Sequence, residues 1–334
     1  MRASAIRTHA RSRVAVSAMG LGCAQMGNLY RAMSRAEAIG VFDAARESGI
    51  RYFDTAPFYG FTRSERRLGA LLTDLPREVY ALSTKVGRVM RPDPFVGPEE
   101  AGYVAPLPFS PTYDYTHDGV LRAFEDSRQR LGILCPDILF VHDIGRLTHG
   151  DRHAHYWAQL TAGGGFAALM RLRMEGAIRA VGLGVNEWEV IADALEVADL
   201  DICLLAGRYT LLEQDSLAVM DRCAARGVGI MVAGAFNSGI LAGGSQYDYR
   251  AAPPAIVTRV TALRTACAAA GVPLEAAALQ FPLAHPAVLS VVVGAHDAGQ
   301  VRANVASFEA AIPAGFWGHL KERGLVAEAA PLPA

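Results

Sequence analysis

Eight short apolar runs, each followed by a longer amphipathic segment, recur along almost the whole chain. The candidate strands are Met19–Cys23, Tyr52–Asp54, Val79–Ser83, Ile138–Val141, Ile178–Gly184, Ile202–Leu205, Gly229–Val232 and Leu289–Val293. The candidate helices are Ser34–Ser48, Arg63–Leu72, Gly119–Leu131, Phe166–Glu175, Glu187–Val197, Ser216–Arg226, Ile256–Ala270 and Asp297–Phe308. The strands lack polar and apolar alternation, which is typical of parallel strands buried on both faces. Eight strand–helix units favour a closed (β/α)8 TIM barrel over an open doubly wound sheet.

Length and composition agree with one such barrel spanning residues 1–334. A (β/α)8 barrel often exceeds roughly 250 residues as a single domain. The chain has 334 residues, of which 51% are hydrophobic and 19% charged, so it can bury a large core. This composition argues against disorder.

The charge balance and the cysteine pattern exclude several classes of protein. The net charge is −1, from 32 Lys and Arg against 33 Asp and Glu, and no long basic block is present. We therefore expect no nucleic-acid partner. The five cysteines are odd in number, widely spaced and without a C-x-x-C pair, which indicates a reducing compartment instead of a disulfide or zinc framework.

Two segments raise the question of export or membrane insertion. Gly20 and Gly22 interrupt the apolar run near the amino terminus, which does not suit a signal peptide. The Ala-rich stretch Thr265–Gly294 contains Glu275 and three prolines, which do not suit a spanning helix. We expect a cytoplasmic protein with no membrane partner.

Long connections follow strands 3, 4 and 7 of the predicted barrel. Such loops lie at the carboxyl-terminal face, where the active sites of these barrels lie. The connection after strand 4 contains His149, His153 and His155, which could be interpreted as metal ligands. Their spacing matches no closed zinc pattern. We therefore expect a loop that covers the substrate, and no metal.

Four polar residues lie at or just after the ends of strands 2, 3 and 4. They are Asp54 and Tyr59 in Phe53–Gly60, Lys85 after Ser83-Thr84, and His142 after Val141. Neighbouring strands of a barrel end at one mouth, so these side chains are expected to converge there. A tyrosine with a pKa of about 10 is a poor base at neutral pH. We expect the Lys85 ammonium to lower that pKa, Asp54 to orient Lys85, and His142 to hydrogen-bond the reacting oxygen.

In these segments the chain resembles the aldo-keto reductase family. The resemblance also covers Met19–Gly22, Val181–Asn186 and Gly294–Asn304, and so extends over nearly the whole length. It implies a (β/α)8 barrel that binds NAD(P) at its carboxyl-terminal mouth without a Rossmann domain. It also implies that Asp54, Tyr59, Lys85 and His142 form the catalytic tetrad of an oxidoreductase.

The resemblance further implies a set of cofactor-binding residues. Asn186 matches the residue that contacts the nicotinamide carboxamide, and Tyr209 the aromatic residue on which the nicotinamide stacks. The segment Phe236, Asn237, Ser238 and Gly239 matches the loop that wraps the pyrophosphate. The adenine side of the site would be formed by Gly294, His296, Gln300 and Asn304.

The residues predicted near the adenosine favour NAD over NADP. A 2′-phosphate requires Arg or Lys partners, whereas this chain has His296 followed by Asp297. Use of NADP stays open because Arg302 lies in the same region. The glutamine that many members carry after strand 6 is absent here, where the sequence is Leu205–Arg208.

A narrower resemblance concerns the substrate. Phe58–Glu65, Tyr113–Thr116 and Leu205–Leu212 resemble a branch whose members oxidise cyclic hemiacetals to lactones. Its substrates are aldoses such as L-fucose, D-arabinose and L-galactose, or pyridoxal. Sugar hydroxyls need convergent polar groups such as Asp143, and a pyridine ring needs aromatic walls such as Tyr113 and Trp157. The long loops offer both, and from the sequence we place an aldose first and pyridoxal second.

Two rival functions stay open at this point. The same barrel, with its cofactor and tetrad, serves as a nicotinamide-sensing regulatory subunit of potassium channels, which would turn over slowly or not at all. An NADPH-dependent carbonyl reductase is the second rival, against which Asp297 argues. The sequence does not determine the oligomeric state.

Overall fold

In a computed structural model, which describes residues 1–333, eight parallel strands close into a barrel. The barrel strands are eight of the sixteen strands found among these residues. In chain order the sixteen are β1 Ile6–Thr8, β2 Ala15–Ser17, β3 Met19–Gly22, β4 Tyr52–Asp54, β5 Ala81–Val86, β6 Arg88–Pro92, β7 Glu99–Glu100, β8 Tyr103–Val104, β9 Phe109–Tyr113, β10 Ile138–His142, β11 Ala180–Val185, β12 Ile202–Ala206, β13 Gly229–Ala233, β14 Gln246–Tyr247, β15 Arg250–Ala251 and β16 Val288–Gly294. The barrel order is β3-β4-β5-β10-β11-β12-β13-β16, and β16 pairs with β3 to close it. The predicted fold class is confirmed.

Helices surround the barrel between its strands. They are α1 Arg35–Glu47, α2 Arg63–Leu72, α3 His117–Leu131, α4 Arg146–His149, α5 His153–Leu160, α6 Gly165–Met174, α7 Trp188–Val197, α8 Leu217–Ala225, α9 Pro254–Ala269, α10 Leu274–Gln280, α11 Ala298–Glu309 and α12 Ala314–Glu322. Ser34 begins α1 with a capping box, since its side chain accepts from the Glu37 amide and Glu37 accepts from the Ser34 amide. Asp297 caps α11 by accepting from the Gln300 amide at 2.9 Å.

Three connections at the mouth carry structure of their own. The segment after β5 forms the antiparallel hairpins β6–β9 and β7–β8, and the segment after β13 forms the hairpin β14–β15. The segment after β10 was predicted as a loop but contains α4 and α5. In α5, Tyr156 and Leu160 are buried on one side, so packing stabilises a helix that is only two turns long.

An amino-terminal hairpin, β1–β2, covers the end of the barrel opposite the mouth. Val14 and Val16 are fully buried against Tyr52, Ile138 and other side chains of the barrel interior. The Arg7 guanidinium donates to the carbonyl of Val288 at the start of β16. The arginine-rich amino terminus therefore has a structural role in this fold.

The cysteines lie mostly in the core, and the apolar helices pack around the barrel. Four of the five cysteines are buried, Cys135 is half-buried, and all five are free. Among residues 1–333, no single helix is long and apolar enough to cross a membrane; the pair Pro254–Ala269 and Leu274–Ala284 passes on length and composition but is bent by 104°.

Candidate active site

Lys85 and Asp54 form a buried ion pair at the mouth of the barrel. The Lys85 Nζ lies 2.7 Å from Oδ2 and 2.9 Å from Oδ1 of Asp54, and it also donates to the Thr55 carbonyl. The lysine side chain is 1% exposed and the aspartate 5%. Gly184 of β11 leaves space for the lysine, because a Cβ there would lie 3.2 Å from Lys85 Cε. The ammonium is therefore held in one position.

Two hydroxyls of the barrel interior support this pair. The Ser83 hydroxyl donates to Asp54 Oδ1 at 2.7 Å and lies 2.8 Å from the phenol oxygen of Tyr52. Ser83 and Tyr52 lie on β5 and β4, which are neighbouring strands. Asp54 thus accepts hydrogen bonds from Lys85 and Ser83 in a buried region, which orients its carboxylate toward Lys85.

A tight turn after β4 brings Tyr59 over Lys85. The Lys85 Nζ lies 4.7 Å from the centre of the Tyr59 ring. The turn depends on Gly60, whose φ is +64° and whose Cβ would lie 2.1 Å from the Gly27 carbonyl oxygen. Any side chain at position 60 would push the turn away from Gly27, which lies in the segment after β3, and would displace Tyr59 with it.

The surroundings of Tyr59 raise the pKa of its phenol well above the ordinary value. Burial is the main cause, the carboxylates of Asp54 and Asp143 add to it, and Arg88 opposes them. The expected lowering of this pKa by Lys85 is not seen, because burial and the two carboxylates outweigh it. Tyr59 is therefore a proton donor at neutral pH until further positive charge enters the mouth.

His142 completes the predicted tetrad from the end of β10. Its ring centre lies 5.9 Å from that of Tyr59, at 84°. Burial, followed by the charges of Arg88 and Lys85, lowers the pKa of His142 well below its ordinary value, so the imidazole is neutral. Its Nδ1 is buried without a partner among the described residues. A neutral imidazole with a free nitrogen suits a hydrogen bond to a substrate oxygen.

A second buried ion pair, Arg88–Asp143, lies beside His142. The Arg88 Nη2 is 2.6 Å from Asp143 Oδ2, and His142 Nε2 is 3.4 Å from the same oxygen. The guanidinium carbon lies 4.2 Å from the ring centre of Phe58 and 5.5 Å from that of Tyr113. Asp143 was predicted as a substrate residue, whereas Arg88 was missed because it follows the turn at Gly87 inside an irregular loop.

The carboxamide position Asn186 lies at the same mouth. Its Nδ2 donates to Asp143 at 3.3 Å, and its Oδ1 accepts from the Tyr249 phenol at 3.3 Å. Tyr249 belongs to the β14–β15 hairpin, which the bidentate Arg208–Asp248 pair at 2.8 and 3.0 Å ties to the barrel. The structure thus brings Asn186 to the tetrad and adds Tyr249, which sequence reasoning did not identify.

The predicted pyrophosphate loop, Phe236 to Gly239, has an unusual backbone. Asn237, Ser238 and Gly239 all have positive φ, at 46°, 59° and 100°. The Asn237 side chain stabilises the loop, since it accepts from Thr210 Oγ1 and donates to the Gly207 carbonyl. Ser238 Oγ accepts from the Tyr249 amide. Successive backbone N–H groups in such a conformation can bind an anion, so the assignment of this loop to the pyrophosphate stays a prediction.

Tyr209 does not lie where the resemblance implied. Its side chain is fully buried, and its ring centre lies 5.6 Å from that of Phe281 and 5.3 Å from that of His285. Its phenol oxygen has no partner among the described residues. The structure therefore packs the Tyr209 ring among side chains of the core, where it is not exposed for stacking on a nicotinamide.

The predicted adenine side gathers at the start of α11. Gln300 Oε1 accepts from the His296 amide, and Asn304 Nδ2 lies 3.5 Å from the Gly294 carbonyl oxygen. Gln25, after β3, packs so closely on Gly294 that a Cβ there would lie 2.1 Å from Gln25 Oε1. Gln25 Oε1 and His296 Nδ1 are buried without partners among residues 1–333, and such orphaned polar atoms fit contacts to a cofactor.

One guanidinium near this region was not predicted. Arg31 donates from Nη2 to the His296 carbonyl at 2.9 Å, and its Nη1 lies 2.9 Å from Glu37 Oε1. Burial and the Arg31 charge lower the pKa of His296. The charges that act on His296 are therefore those of Arg31, which is paired, and the carboxylates of Asp297 and Glu37.

The other two predicted substrate residues, Tyr113 and Trp157, pack in different aromatic clusters. Tyr113 packs on His149 and Tyr156 at 4.7 and 5.6 Å, next to Arg88. Trp157 instead packs on His153 and Phe166, at 6.0 and 6.3 Å. Across residues 1–333, no group of three His, Cys, Asp or Glu side chains is arranged to hold a metal ion.

Fold and site together define an oxidoreductase that uses a nicotinamide cofactor at the mouth of a (β/α)8 barrel. The family model of the aldo/keto reductase family matches residues 18–323, and the chain belongs to that family. It is 48% identical to a pyridoxal 4-dehydrogenase of Microbacterium luteolum, over 98% of this chain and 99% of that protein. It is 39% identical to a D-threo-aldose 1-dehydrogenase of a Pseudomonas species, over 94% and 95%. These relatives support an enzyme that acts on CH–OH groups.

Solved structures show the same fold. An aldo-keto reductase of Bacillus halodurans in its holo form superposes with a TM-score of 0.71 at 24% identity, over 97% of each chain. A glycerol dehydrogenase of Gluconobacter oxydans also gives 0.71, at 21% identity over 99% of this chain and 98% of the other. At these identities the likeness concerns the barrel alone.

Proposed function

We propose that this enzyme oxidises the cyclic hemiacetal of pyridoxal to a lactone, with NAD+ as the hydride acceptor. The observation that carries the proposal is the aromatic lining of the mouth. Phe58 lies edge-on to His142 at 6.4 Å and to Tyr103 at 5.8 Å, and Tyr59 lies 6.5 Å from Tyr103. Aromatic walls suit a pyridine ring better than a polyhydroxylated sugar.

This proposal reverses the order in which the sequence placed the two substrates. Tyr103, which is 4% exposed, belongs to the hairpin β7–β8 and could not be assigned to the mouth from the sequence. Asp143 was expected to bind sugar hydroxyls, but its carboxylate is already paired with Arg88 and bonded to Asn186. The pyridoxal 4-dehydrogenase relative, at 48% identity, supports the same order.

The tetrad residues handle the proton of the reacting hydroxyl. When bound, the oxidised nicotinamide supplies a hydride acceptor and a positive charge. Tyr59 removes the proton of the anomeric hydroxyl, and His142 donates to or accepts from the same oxygen. Lys85, fixed by Asp54, stabilises the phenolate that Tyr59 must become. We place the reaction in the cytoplasm, a reducing compartment that suits five free cysteines.

An aldose 1-dehydrogenase is the second candidate, because of the 39% identity to a D-threo-aldose 1-dehydrogenase. Absorbance of NADH formed from pyridoxal, L-fucose, D-arabinose and L-galactose separates the two candidates. We expect the highest kcat/KM with pyridoxal. A higher value with an aldose would reverse the assignment, and no turnover with any substrate would favour a nicotinamide-sensing regulatory subunit.

The first product is expected to be a lactone. Hydride loss from a ring-closed hemiacetal leaves the ring intact and consumes no water, so the acid can form only by later hydrolysis. Early samples of the pyridoxal reaction, quenched and separated by chromatography, should contain 4-pyridoxolactone before any acid. Acid appearing first, under conditions in which added lactone persists, would indicate oxidation of the open aldehyde instead.

The catalytic efficiency with NAD+ is expected to exceed that with NADP+ by at least about tenfold, or about 1.4 kcal/mol. A 2′-phosphate would meet the Asp297 carboxylate and a His296 imidazole that is held neutral, while Arg31 is paired with Glu37. Initial rates with the two cofactors test this, and His296→Arg should narrow the gap. Equal efficiencies would show that another cation, such as Arg31, binds the phosphate.

A further inference from the structure

The pairing of Arg88 with Asp143 leaves other N–H groups of the buried guanidinium without acceptors among residues 1–333. The residue is 5% exposed, and only one hydrogen bond is found for its guanidinium among the described residues, from Nη2 to Asp143. Its Nε is buried without a partner. An arginine has five N–H donors, and burial without acceptors is costly. A buried arginine with free donors therefore indicates an acceptor that arrives with a ligand.

The position of Arg88 restricts what that ligand can be. The guanidinium contacts the Phe58 ring at 4.2 Å, and it shares Asp143 Oδ2 with the catalytic His142. An acceptor bound by Arg88 would therefore lie beside His142. The aromatic ring of Phe58 favours a planar ligand, and a guanidinium favours a negatively charged oxygen.

We propose that Arg88 binds the ionised 3-oxygen of pyridoxal and thereby selects this substrate over neutral sugars. This inference rests on the proposed function. In 3-hydroxypyridines the hydroxyl proton moves readily to the ring nitrogen, so the oxygen carries negative charge at neutral pH. In pyridoxal this oxygen is attached to the ring carbon next to the one that bears the reacting group. The Arg88 cation beside His142 is therefore placed to bind this oxygen, whereas an aldose has no charged group that Arg88 could bind.

Asp143 has a positioning role in this arrangement. It holds one edge of the guanidinium at 2.6 Å, and Asn186 in turn donates to its other oxygen at 3.3 Å. Its backbone has a φ of +42°, a conformation that a non-glycine residue adopts only when its surroundings favour it. Asp143 thus orients Arg88 so that the remaining N–H groups are free for substrate.

The experiment compares pyridoxal with 3-O-methylpyridoxal, which keeps the ring and the hemiacetal but cannot ionise at that oxygen. We expect the parent enzyme to prefer pyridoxal by at least about tenfold in kcat/KM. Arg88→Gln should reduce this preference to about twofold or less, chiefly through a higher KM for pyridoxal. Arg88→Lys, which keeps the charge but not the fork of donors, should retain an intermediate preference.

A matched control replaces a partly buried arginine that lies outside the mouth. Arg130 pairs with the fully buried Glu65 at 2.6 Å, so Arg130→Gln also breaks a buried ion pair. It should lower Tm while leaving the preference between the two substrates unchanged. A preference that persists in folded Arg88→Gln, or is absent in the parent, would overturn the role of Arg88. If the parent does not oxidise pyridoxal at all, the proposed function fails instead.

Discussion

Replacing Tyr59 with phenylalanine is expected to lower kcat by about 100-fold or more with any good substrate. General acid–base catalysis contributes about 10²–10⁴-fold to the rate of a reaction. The phenol is the group that the tight turn at Gly60 holds over Lys85 and edge-on to His142. The substitution deletes one hydroxyl and leaves the ring, so the aromatic lining and the cofactor site remain. Steady-state kinetics of the purified variant measure the loss.

A second tyrosine gives the matched control for this variant. Tyr209→Phe deletes the same hydroxyl from a fully buried residue whose phenol oxygen has no partner among the described residues. It should keep normal kcat and, because an unsatisfied buried hydroxyl is removed, equal or higher stability. Tyr59→Phe should bind NAD+ with unchanged affinity in a fluorescence titration. Near-normal turnover by Tyr59→Phe would refute the mechanism.

The barrel could be predicted because its strands are buried on both faces. Such strands appear in the sequence as short continuous apolar runs, and all eight observed barrel strands overlap the predicted ones, with ends that differ by at most three residues. The connection after β10 could not be predicted, because α4 and α5 have too few residues for a clear period. The helical form of α5 depends on burial of Tyr156 and Leu160, which is a tertiary effect.

The candidate site was predictable only where residues follow regular strands. Asp54 and His142 are the last residues of β4 and β10, and Lys85 is the last but one of β5, so their convergence follows from the topology. Arg88 and Tyr249 lie in hairpins whose course depends on single turns. At Gly87, for example, φ is +100° and a Cβ would lie 2.2 Å from Tyr115. Hydrophobic periodicity does not indicate such a turn, so the contacts of Arg88 and Tyr249 could not be predicted from the sequence.

The direction of a pKa shift was harder to predict from the sequence than the position of a site residue. The residue types suggested that Lys85 lowers the pKa of Tyr59, but the sign of the net effect depends on distances. Burial of the phenol, followed by the charges of Asp54 and Asp143, raises the pKa of Tyr59. Formation of the phenolate therefore requires positive charge in the mouth in addition to that of Lys85.

Lys85→Met is expected to lower kcat at neutral pH by at least as much as Tyr59→Phe. It also leaves the Asp54 carboxylate buried with Ser83 as its remaining hydrogen-bond partner, which should cost about 3–5 kcal/mol of stability. The pKa of Tyr59 is already above its ordinary value, and without the ammonium the Asp54 charge raises it further. The phenolate then forms only at more alkaline pH, so the residual activity should rise with pH, whereas Tyr59→Phe should show no such rise.

The double variant Asp54→Asn/Lys85→Met separates the two consequences of losing the lysine. Removing both charges eliminates the unpaired buried carboxylate, so thermal unfolding should show that most of the lost stability returns. Activity at neutral pH should stay low, because no ammonium stabilises the phenolate. Since the Asp54 charge no longer raises the pKa of Tyr59, the alkaline rise in kcat should begin at lower pH than in Lys85→Met. Identical pH profiles for the two variants would show that Asp54 affects Lys85 alone and has no direct electrostatic effect on Tyr59.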